Sequence, residues 1–509
     1  MNEVRVRFAP SPTGYLHIGS ARTAYFNWLF ARKEKGRLIL RIEDTDISRH
    51  QEDMIATILD SLKWLSVRWD EGPDIGGDYG PYRQSERNEY YRKYADFLLG
   101  SKKAYRCFCT PEELEQRRQD YAKKGEFFSY DRKCLELDDR QIKDRLKQKM
   151  PFSIRMLVPD GKEISFKDTV YGKIKVNSSN IDDFIILRSN NLPTYNFSAV
   201  IDDYLMKITH IIRGEDHLSN TPKQLLIYDS LNISPPSFTH LPMILSKDGE
   251  KLSKRHGAIS VESYRDEGFL QEAVKNYLAL LGWAFDEKTT IFSEKEIIKK
   301  FSLETINKKA SRFDYEKLLH INSMYIKNHE ISDLAGMLKD RLKKRITEMD
   351  KSDLKNNCLK EADLKNPEAV GAIFREIEDK ILYIIPLVNK RAKTLNEIEK
   401  MILPFFFEII YPDEIKNFFA GKNINAASLL EQAKSTLSKI TDNDFCLPLI
   451  EKELRDLAEA NNITFGELAE VLRLALWGRT VSLPLFETII ILGRKKSLHR
   501  LSEYLELIS

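Results

Sequence analysis

The sequence predicts an α/β protein: a Rossmann-type parallel sheet split by an α+β insertion, followed by an all-α C-terminal region. Three observations predict this. Strand-like and helix-like runs alternate over residues 1–105. The alternation breaks between 106 and 190 and then resumes. From residue 326 onward apolar residues recur at three- and four-residue steps, with almost no period-two runs.

In order, Val4, Val6 and Phe8 alternate with charged residues as on a strand. Next come two prolines, a glycine and small hydroxyl residues, which form a turn through Ala9, Ser11 and Gly14. Ala21, Ala24, Tyr25, Trp28 and Leu29 then mark a helix face. His17 and Gly19 therefore fall at a helix start, where unpaired N–H groups and the positive dipole end attract phosphate. Leu38, Leu40 and Ile42 make a strand ending at Glu43, and a helix follows through Met54, Ile55, Ile58, Leu59 and Leu62. Asp70-Glu71-Gly72-Pro73 stops that pattern. Ligands on such sheets bind at the strands' carboxyl ends. His17, Glu43 and Arg213 each follow a strand-like run, so they are candidates for one site.

The interval 106–190 holds Cys107-Phe108-Cys109, a charged helical stretch from Pro111 to Lys124 and short strands such as Phe152–Arg155. Strands Ile181–Leu187 and Ile208–Arg213 resume the fold, with a helix over Thr221–Leu231. After the apolar Leu241, Met243, Ile244 and Leu245 comes Lys251-Leu252-Ser253-Lys254-Arg255. Three cations and a serine suit a phosphate-gripping loop, and equally an ordinary solvated basic turn. Residues 257–325 read as helical, with Ala273, Tyr277, Leu278 and Leu281 on one face. The expected divisions are 1–105, 106–190, 191–256, 257–325 and 326–509. In the last, Leu468, Val471, Leu472 and Ala475 share a helix face. The basic stretch Lys339–Arg345 there could track phosphates or be a solvated face.

Length and composition bound the class. The 509 residues allow several cores, and the net charge of +3 means that a nucleic-acid binder must gather its cations on one face. The N-terminus has no apolar signal region, and the densest apolar run, Leu403–Phe407, is core-sized, so no membrane span is expected. Five scattered cysteines argue against a disulfide framework and for a reducing cytoplasm.

Together and in this order, His17-Ile18-Gly19 and Lys251–Arg255 resemble the HIGH and KMSKS signatures of class I aminoacyl-tRNA synthetases. Arg5–Gly14, Arg41–Asp46, Gly80–Arg87 and Ile212–His217 resemble bacterial glutamyl-tRNA synthetases, densely as far as Ser323. Leu252 and Arg255 depart from KMSKS, and Ser20 replaces the last histidine of HIGH; both departures are usual in the glutamyl branch. The resemblance implies ATP-dependent activation of glutamate to an adenylate, then transfer to the 3′ end of glutamate tRNA. It implies ATP with Mg²⁺ as the nucleotide, an acceptor-end-binding insertion, a stem-contact region around Ser311–Leu318 and a helical anticodon-binding region. It further implies a monomer, and tRNA needed for activation.

By position the resemblance gives His17, Gly19, Lys251 and Lys254 to the phosphates, and Asp216 and His217 to the nucleotide. Arg7 and Tyr195 would read the side-chain carboxylate, Glu43 the α-ammonium and Arg213 the α-carboxylate, with Ala9 and Ser11 lining the site. Arginine's planar fork suits carboxylates. Arg7 could instead be a surface strand residue, as its neighbour Arg5 is expected to be. Cys107, Cys109 and Cys134 match a zinc-binding spacing found in some members, with Tyr130 or Glu136 as fourth ligand; three idle thiols are the alternative. Arg391, in an Arg-x-x-Thr-Leu pattern, aligns with an arginine that reads the third anticodon base. Glutaminyl-tRNA synthetase, a small-molecule nucleotidyltransferase of the same fold and a non-catalytic tRNA-binding paralogue remain alternatives.

Overall fold

A computed structural model of the chain describes residues 3–45, 51–123, 125, 129–250, 252, 260–284, 286, 288–349, 353, 360, 367–416, 418–419, 424–479 and 483–508. The chain forms two compact units, Met1–Asp266 with Gln271–Leu318, and Glu267–Leu270 with Leu319–Ser509.

The first unit is built on two β-α-β crossovers. Strand β1 (Arg5–Phe8) pairs in parallel with β2 (Arg37–Leu40) across helix α1 (Ile18–Lys33). Helix α2 (Gln51–Trp64) and helix α3 (Asn88–Gly100) follow. Further along, β3 (Ala104–Cys107), β4 (Ser153–Met156) and β7 (Ile185–Leu187) form a separate antiparallel sheet. Between them in sequence, β5 (Glu163–Asp168) and β6 (Gly172–Asn177) form a hairpin. The second crossover runs from β8 (His210–Gly214) through the helix Thr221–Ser230 to β9 (Ser237–Leu241), again in parallel. Thr209 ties the halves together: its N–H donates to the Arg5 carbonyl at 2.9 Å, and its Oγ1 accepts from the Arg5 N–H at 2.9 Å.

Two differences from the sequence reading matter. The β5–β6 hairpin lies inside the interval read as an insertion, yet it extends the parallel sheet: Asp168 of β5 pairs in parallel with Phe238 of β9. Strand β7 begins at Ile185, later than the expected Ile181. Asp183 accepts instead from Tyr105 Oη (2.7 Å), Arg132 Nε (3.1 Å) and Val158 N (2.9 Å), which holds the preceding residues out of a ladder.

Arg5 is also corrected. It is buried, because β1 is covered on both faces, and a buried cation needs a partner. Its guanidinium forks onto Glu71 at 2.7 and 2.9 Å and gives Nε–H to the Met206 carbonyl at 2.9 Å. Tyr82 Oη donates to the same Glu71 at 2.6 Å.

The second unit is helical among the described residues. Helix Phe465–Trp477 opens with a capping box, Thr464 accepting from the Glu467 N–H while the Glu467 side chain reaches back. Leu468, Val471, Leu472 and Ala475 are all fully buried along it, as their spacing predicts. The basic stretch Lys339–Arg345 lies on the helix Ile331–Glu348, and four of its five cations are paired locally, with Lys344 exposed. Lys339 and Lys343 pair with Glu378, and Arg341 and Arg345 pair with Glu399. This speaks against the phosphate-tracking reading. No helix among the described residues is long and apolar enough to cross a membrane.

Candidate active site

The site lies at the carboxyl ends of β1, β2 and β8. Arg7, next to last in β1, is 4% exposed and gives Nε–H to both carboxylate oxygens of Asp203 at 3.2 and 3.4 Å. Neither of its Nη atoms hydrogen-bonds a described residue. Arg41, fully buried just past β2, reaches Asp203 Oδ1 at 2.7 Å and Glu43 Oε1 at 3.2 Å. Burial pushes the Asp203 carboxyl up, but Arg41 and then Arg7 outweigh it and hold the group below its ordinary range. For Glu43 burial prevails over Arg41 and Arg7, and its carboxyl is raised. Glu43 Oε2 accepts no hydrogen bond from a described residue.

Arg213, in β8, stands opposite. Its Nε–H donates to His240 Nε2 at 3.1 Å, and Nη2 donates to Thr221 Oγ1 and Gln224 Oε1, each at 2.9 Å. Nη1 reaches Tyr195 Oη at 3.4 Å. Tyr195 heads the helix Tyr195–Leu205, which also carries Asp202 and Asp203. Burial raises the Tyr195 hydroxyl, with Arg213, Glu43, Arg7 and Asp203 all close enough to act on it. One set of charges thus brings together Arg7, Glu43, Tyr195 and Arg213. The His217 ring lies 5.3 Å from that of Tyr195, and burial, aided by Arg213, takes its imidazole down to about 4. Asp216 is exposed, and its Oδ1 would lie 2.4 Å from a Cβ on Gly214, so the carboxylate folds back over the Gly214 backbone.

The first signature opens α1. His17 is the N-cap of α1; its Nδ1 accepts from the Ser20 N–H at 3.3 Å. A Cβ on Gly19 would approach the His17 ring to 3.2 Å, so glycine at that position makes room for the imidazole. The loop carrying Ala9 and Ser11 is docked by the Glu43 N–H, which donates to the Pro10 carbonyl at 3.0 Å; Ala9 is half-buried and Ser11 exposed. His17 also bridges Ser260, and the Val261 N–H donates to the Leu16 carbonyl at 3.0 Å. Lys251 and Lys254 lie outside the described residues. Before these residues the described chain runs through β10 (Ile244–Leu245), which pairs with β11 (Ser311–Arg312), and after them it resumes at Ser260 beside His17.

The cysteines gather elsewhere in this unit. Cys107, Cys109 and Cys134 place their Sγ atoms within 4.8 Å of one another. Cys109 and Cys134 are 3.6 Å apart, and Tyr130 Oη is 3.2 Å from Cys107 and 3.6 Å from Cys109. A zinc–sulfur bond of about 2.3 Å implies tetrahedral edges of about 3.8 Å between sulfurs and about 3.5 Å from sulfur to oxygen. The donor set therefore fits a zinc ion with Tyr130 as fourth ligand. Glu136 is exposed and stands outside the cluster, so this geometry favours Tyr130 over it. Hydrogen bonds from Cys134, then Tyr130 and Arg155, pull the Cys107 thiol down to about 4; the same contact with Cys107, and burial, push Cys134 up.

Arg391 is exposed in the turn after the helix Pro367–Val388, its N–H donating to the Val388 carbonyl at 2.9 Å. Thr394 caps the next helix, Leu395–Phe406, through the Glu397 N–H. Sequence reasoning missed Asp203, His240 and Asp168 as members of the site. The signal for the first was available: Asp202-Asp203 interrupts the apolar face of an otherwise buried helix.

Residues 3–320 match the family of class I tRNA synthetases (E and Q), catalytic domain, and residues 333–505 match an anticodon binding domain. The glutamate–tRNA ligase of Moorella thermoacetica is 44% identical over 505 residues, covering 98% of both chains. That of Thermodesulfovibrio yellowstonii is 43% identical over 503 residues, covering 99% of both. The crystal structure of a glutamate tRNA ligase from Elizabethkingia meningosepticum, in complex with its amino acid, matches all of both chains with a TM-score of 0.84 at 32% identity. By fold and site the chain is a class I aminoacyl-tRNA synthetase. Within that class it belongs to the family of bacterial glutamate–tRNA ligases.

Proposed function

We propose that this chain activates glutamate with ATP and transfers it to the 3′ end of glutamate tRNA. The observation that carries this is the set of polar atoms at the site that no described residue engages. Arg7 keeps two Nη groups, Arg213 keeps part of Nη1 beside Tyr195 Oη, and Glu43 keeps Oε2. Cations for two carboxylates and an acceptor for an ammonium are the complement of glutamate. Arg7 and Tyr195 read the side-chain carboxylate, Arg213 the α-carboxylate and Glu43 the ammonium. Glutamine is rejected because its amide NH₂ would face Arg7 donor to donor.

His17 and the Gly19 backbone receive the α-phosphate, whose charge grows as the glutamate carboxylate attacks it; pyrophosphate leaves. Lys251 and Lys254 hold the triphosphate, with Asp216 and His217 toward the nucleoside. Mg²⁺ bound with ATP neutralises phosphate charge and needs few protein ligands. Cys107, Cys109, Tyr130 and Cys134 would hold a structural zinc that orders the interval carrying the acceptor-end contacts. Free thiols support a cytoplasmic enzyme; a monomer is its expected state.

The test is ATP–pyrophosphate exchange with glutamate, with and without tRNA. Glutamate-dependent exchange that requires tRNA is expected. Exchange with glutamine in place of glutamate would overturn the amino-acid assignment.

A further inference from the structure

Arg213 is held along one edge only. Of its five N–H donors, Nε serves His240, the two on Nη2 serve Thr221 and Gln224 with the His217 carbonyl at 3.4 Å as a weaker third acceptor, and one on Nη1 faces Tyr195. One Nη1 hydrogen remains for a substrate carboxylate. What fixes this orientation is a fully buried chain of hydrogen bonds behind it. His240 and Asp168 are each 0% exposed, and His240 Nδ1 lies 2.7 Å from Asp168 Oδ2. Asp168 Oδ2 also accepts from the His240 N–H at 3.1 Å, while Oδ1 accepts from the Val170 and Tyr171 N–H groups at 2.9 Å each.

The imidazole tautomer follows from these partners. His240 Nε2 also lies 3.2 Å from Thr221 Oγ1, a hydroxyl that can donate or accept, whereas arginine can only donate; with the Arg213 Nε–H aimed at it, Nε2 presents a lone pair, and the proton sits on Nδ1, facing the carboxylate. We propose that Asp168 and His240 are positioning residues for Arg213: the carboxylate fixes the Nδ1–H tautomer, whose Nε2 lone pair holds the guanidinium so that Nη1 turns to the substrate. The inference rests on Arg213 meeting the α-carboxylate. Asp168 reaches the site from the hairpin inside the interval read as an insertion, so that segment serves amino-acid binding as well as its own sheet. The charged groups that act on His240 are Asp168 from β5, Arg213 from β8 and Arg7 from β1; the titratable His217, from the turn after β8, also couples to it but is itself held neutral. Burial and these cations outweigh Asp168 and keep the imidazole neutral.

Asp168→Asn is a directed test. Each carboxylate oxygen faces two donors, but only the ring can reverse its own; the amide oxygen therefore stays on the fixed Val170 and Tyr171 N–H groups, and the NH₂ faces the His240 backbone N–H and ring, which answers by moving its proton to Nε2, donor to donor with Arg213. In tRNA-dependent ATP–pyrophosphate exchange by the full chain, the glutamate KM is expected to rise about tenfold or more, equivalent to about 1.4 kcal/mol, with the ATP KM unchanged. His240→Leu should do the same, and His240→Gln, which keeps an acceptor toward Arg213, should recover part of the loss. ¹⁵N-histidine NMR, with the His240 signal assigned from the His240→Gln spectrum, should show Nδ1–H in the wild type and Nε2–H in Asp168→Asn. A wild-type signal from the other tautomer or from imidazolium would overturn the proposal, even if a variant failed to fold. So would an ATP KM raised as much as the glutamate KM. Arg213→Gln separates the two levels. If it leaves the glutamate KM unchanged, the assignment of Arg213 is wrong. If it raises that KM while Asp168→Asn and His240→Leu do not, the positioning role alone is wrong.

Discussion

Arg7 and Arg41 meet on one oxygen: Arg7 Nε lies 3.2 Å and Arg41 Nη1 2.7 Å from Asp203 Oδ1. Both guanidiniums are buried, so the carboxylate keeps two like charges together at the floor of the amino-acid site. Asp203→Asn leaves them undercompensated. Removing one partner from such a buried group costs about 3 kcal/mol or more. The midpoint of urea unfolding should fall accordingly, and the glutamate KM should rise because Arg7 loses its anchor. An unchanged midpoint would contradict the ion-pair geometry.

His217 gives a pH prediction. Its folded imidazole titrates at about 4, below the ordinary 6.5, chiefly because of burial. Between those values the unfolded chain holds a proton that the folded chain does not. Stability must therefore fall as pH drops from 6.5 toward 4. His217→Gln removes this dependence, so the variant should gain on the wild type steadily across that window and hold a constant difference above it. Thermal melts at half-unit intervals of pH measure the gap.

The ordered motifs and the long periodic helices were legible in the sequence because their signals are local. His17 at a helix start and the buried face of Leu468, Val471, Leu472 and Ala475 follow from spacing alone. What was not legible depends on long-range closure. Arg5 looked like a surface residue, since nothing in its neighbourhood says that Glu71 and Met206 will close over it. Asp168 lies on an ordinary alternating hairpin, and only the pairing with β9 carries it to His240. The Lys339–Arg345 stretch looked available because its partners, Glu378 and Glu399, come from other helices.

The thiol cluster predicts a metal content. Purified enzyme should carry about one zinc per chain, as expected for a single closed site. Cys134→Ser should lose it, because two thiolates and a phenol make a poor closed set. Aminoacylation of tRNA should suffer more than ATP binding, since the cluster organises residues apart from the nucleotide's contacts. A metal-free preparation with full aminoacylation would return the three thiols to an idle role.

Lys254 lies outside the described residues, and its prediction rests on chemistry. A cation placed where charge develops on the departing phosphates stabilises the transition state more than the bound substrates. Lys254→Ala should slow activation by a factor on the order of a hundred, with little change in the glutamate KM. Activation near the wild-type rate would mean that the second signature is misassigned.

The last prediction concerns which tRNAs are charged. Glutamate and glutamine tRNAs differ at the third anticodon base, C in the first and G in the second. Arg391 is exposed in a turn, and Thr394 fixes the start of the following helix, so the arginine stands at a defined corner of its unit. Arginine has donors and no acceptors. The pairing edge of C offers O2 and N3 as acceptors. That of G offers O6 alone and opposes the guanidinium with N1–H and N2–H₂. An unstacked anticodon base can be read on that edge. The wild type is therefore expected to charge glutamate tRNA and to discriminate against glutamine tRNA. Arg391→Gln, which carries both a donor and an acceptor, should relax that selectivity while leaving glutamate activation with glutamate tRNA nearly unchanged. The measurement is aminoacylation of both transcripts by both enzymes. Efficient charging of glutamine tRNA by the wild type would refute the role of Arg391, and so would unchanged selectivity in the variant.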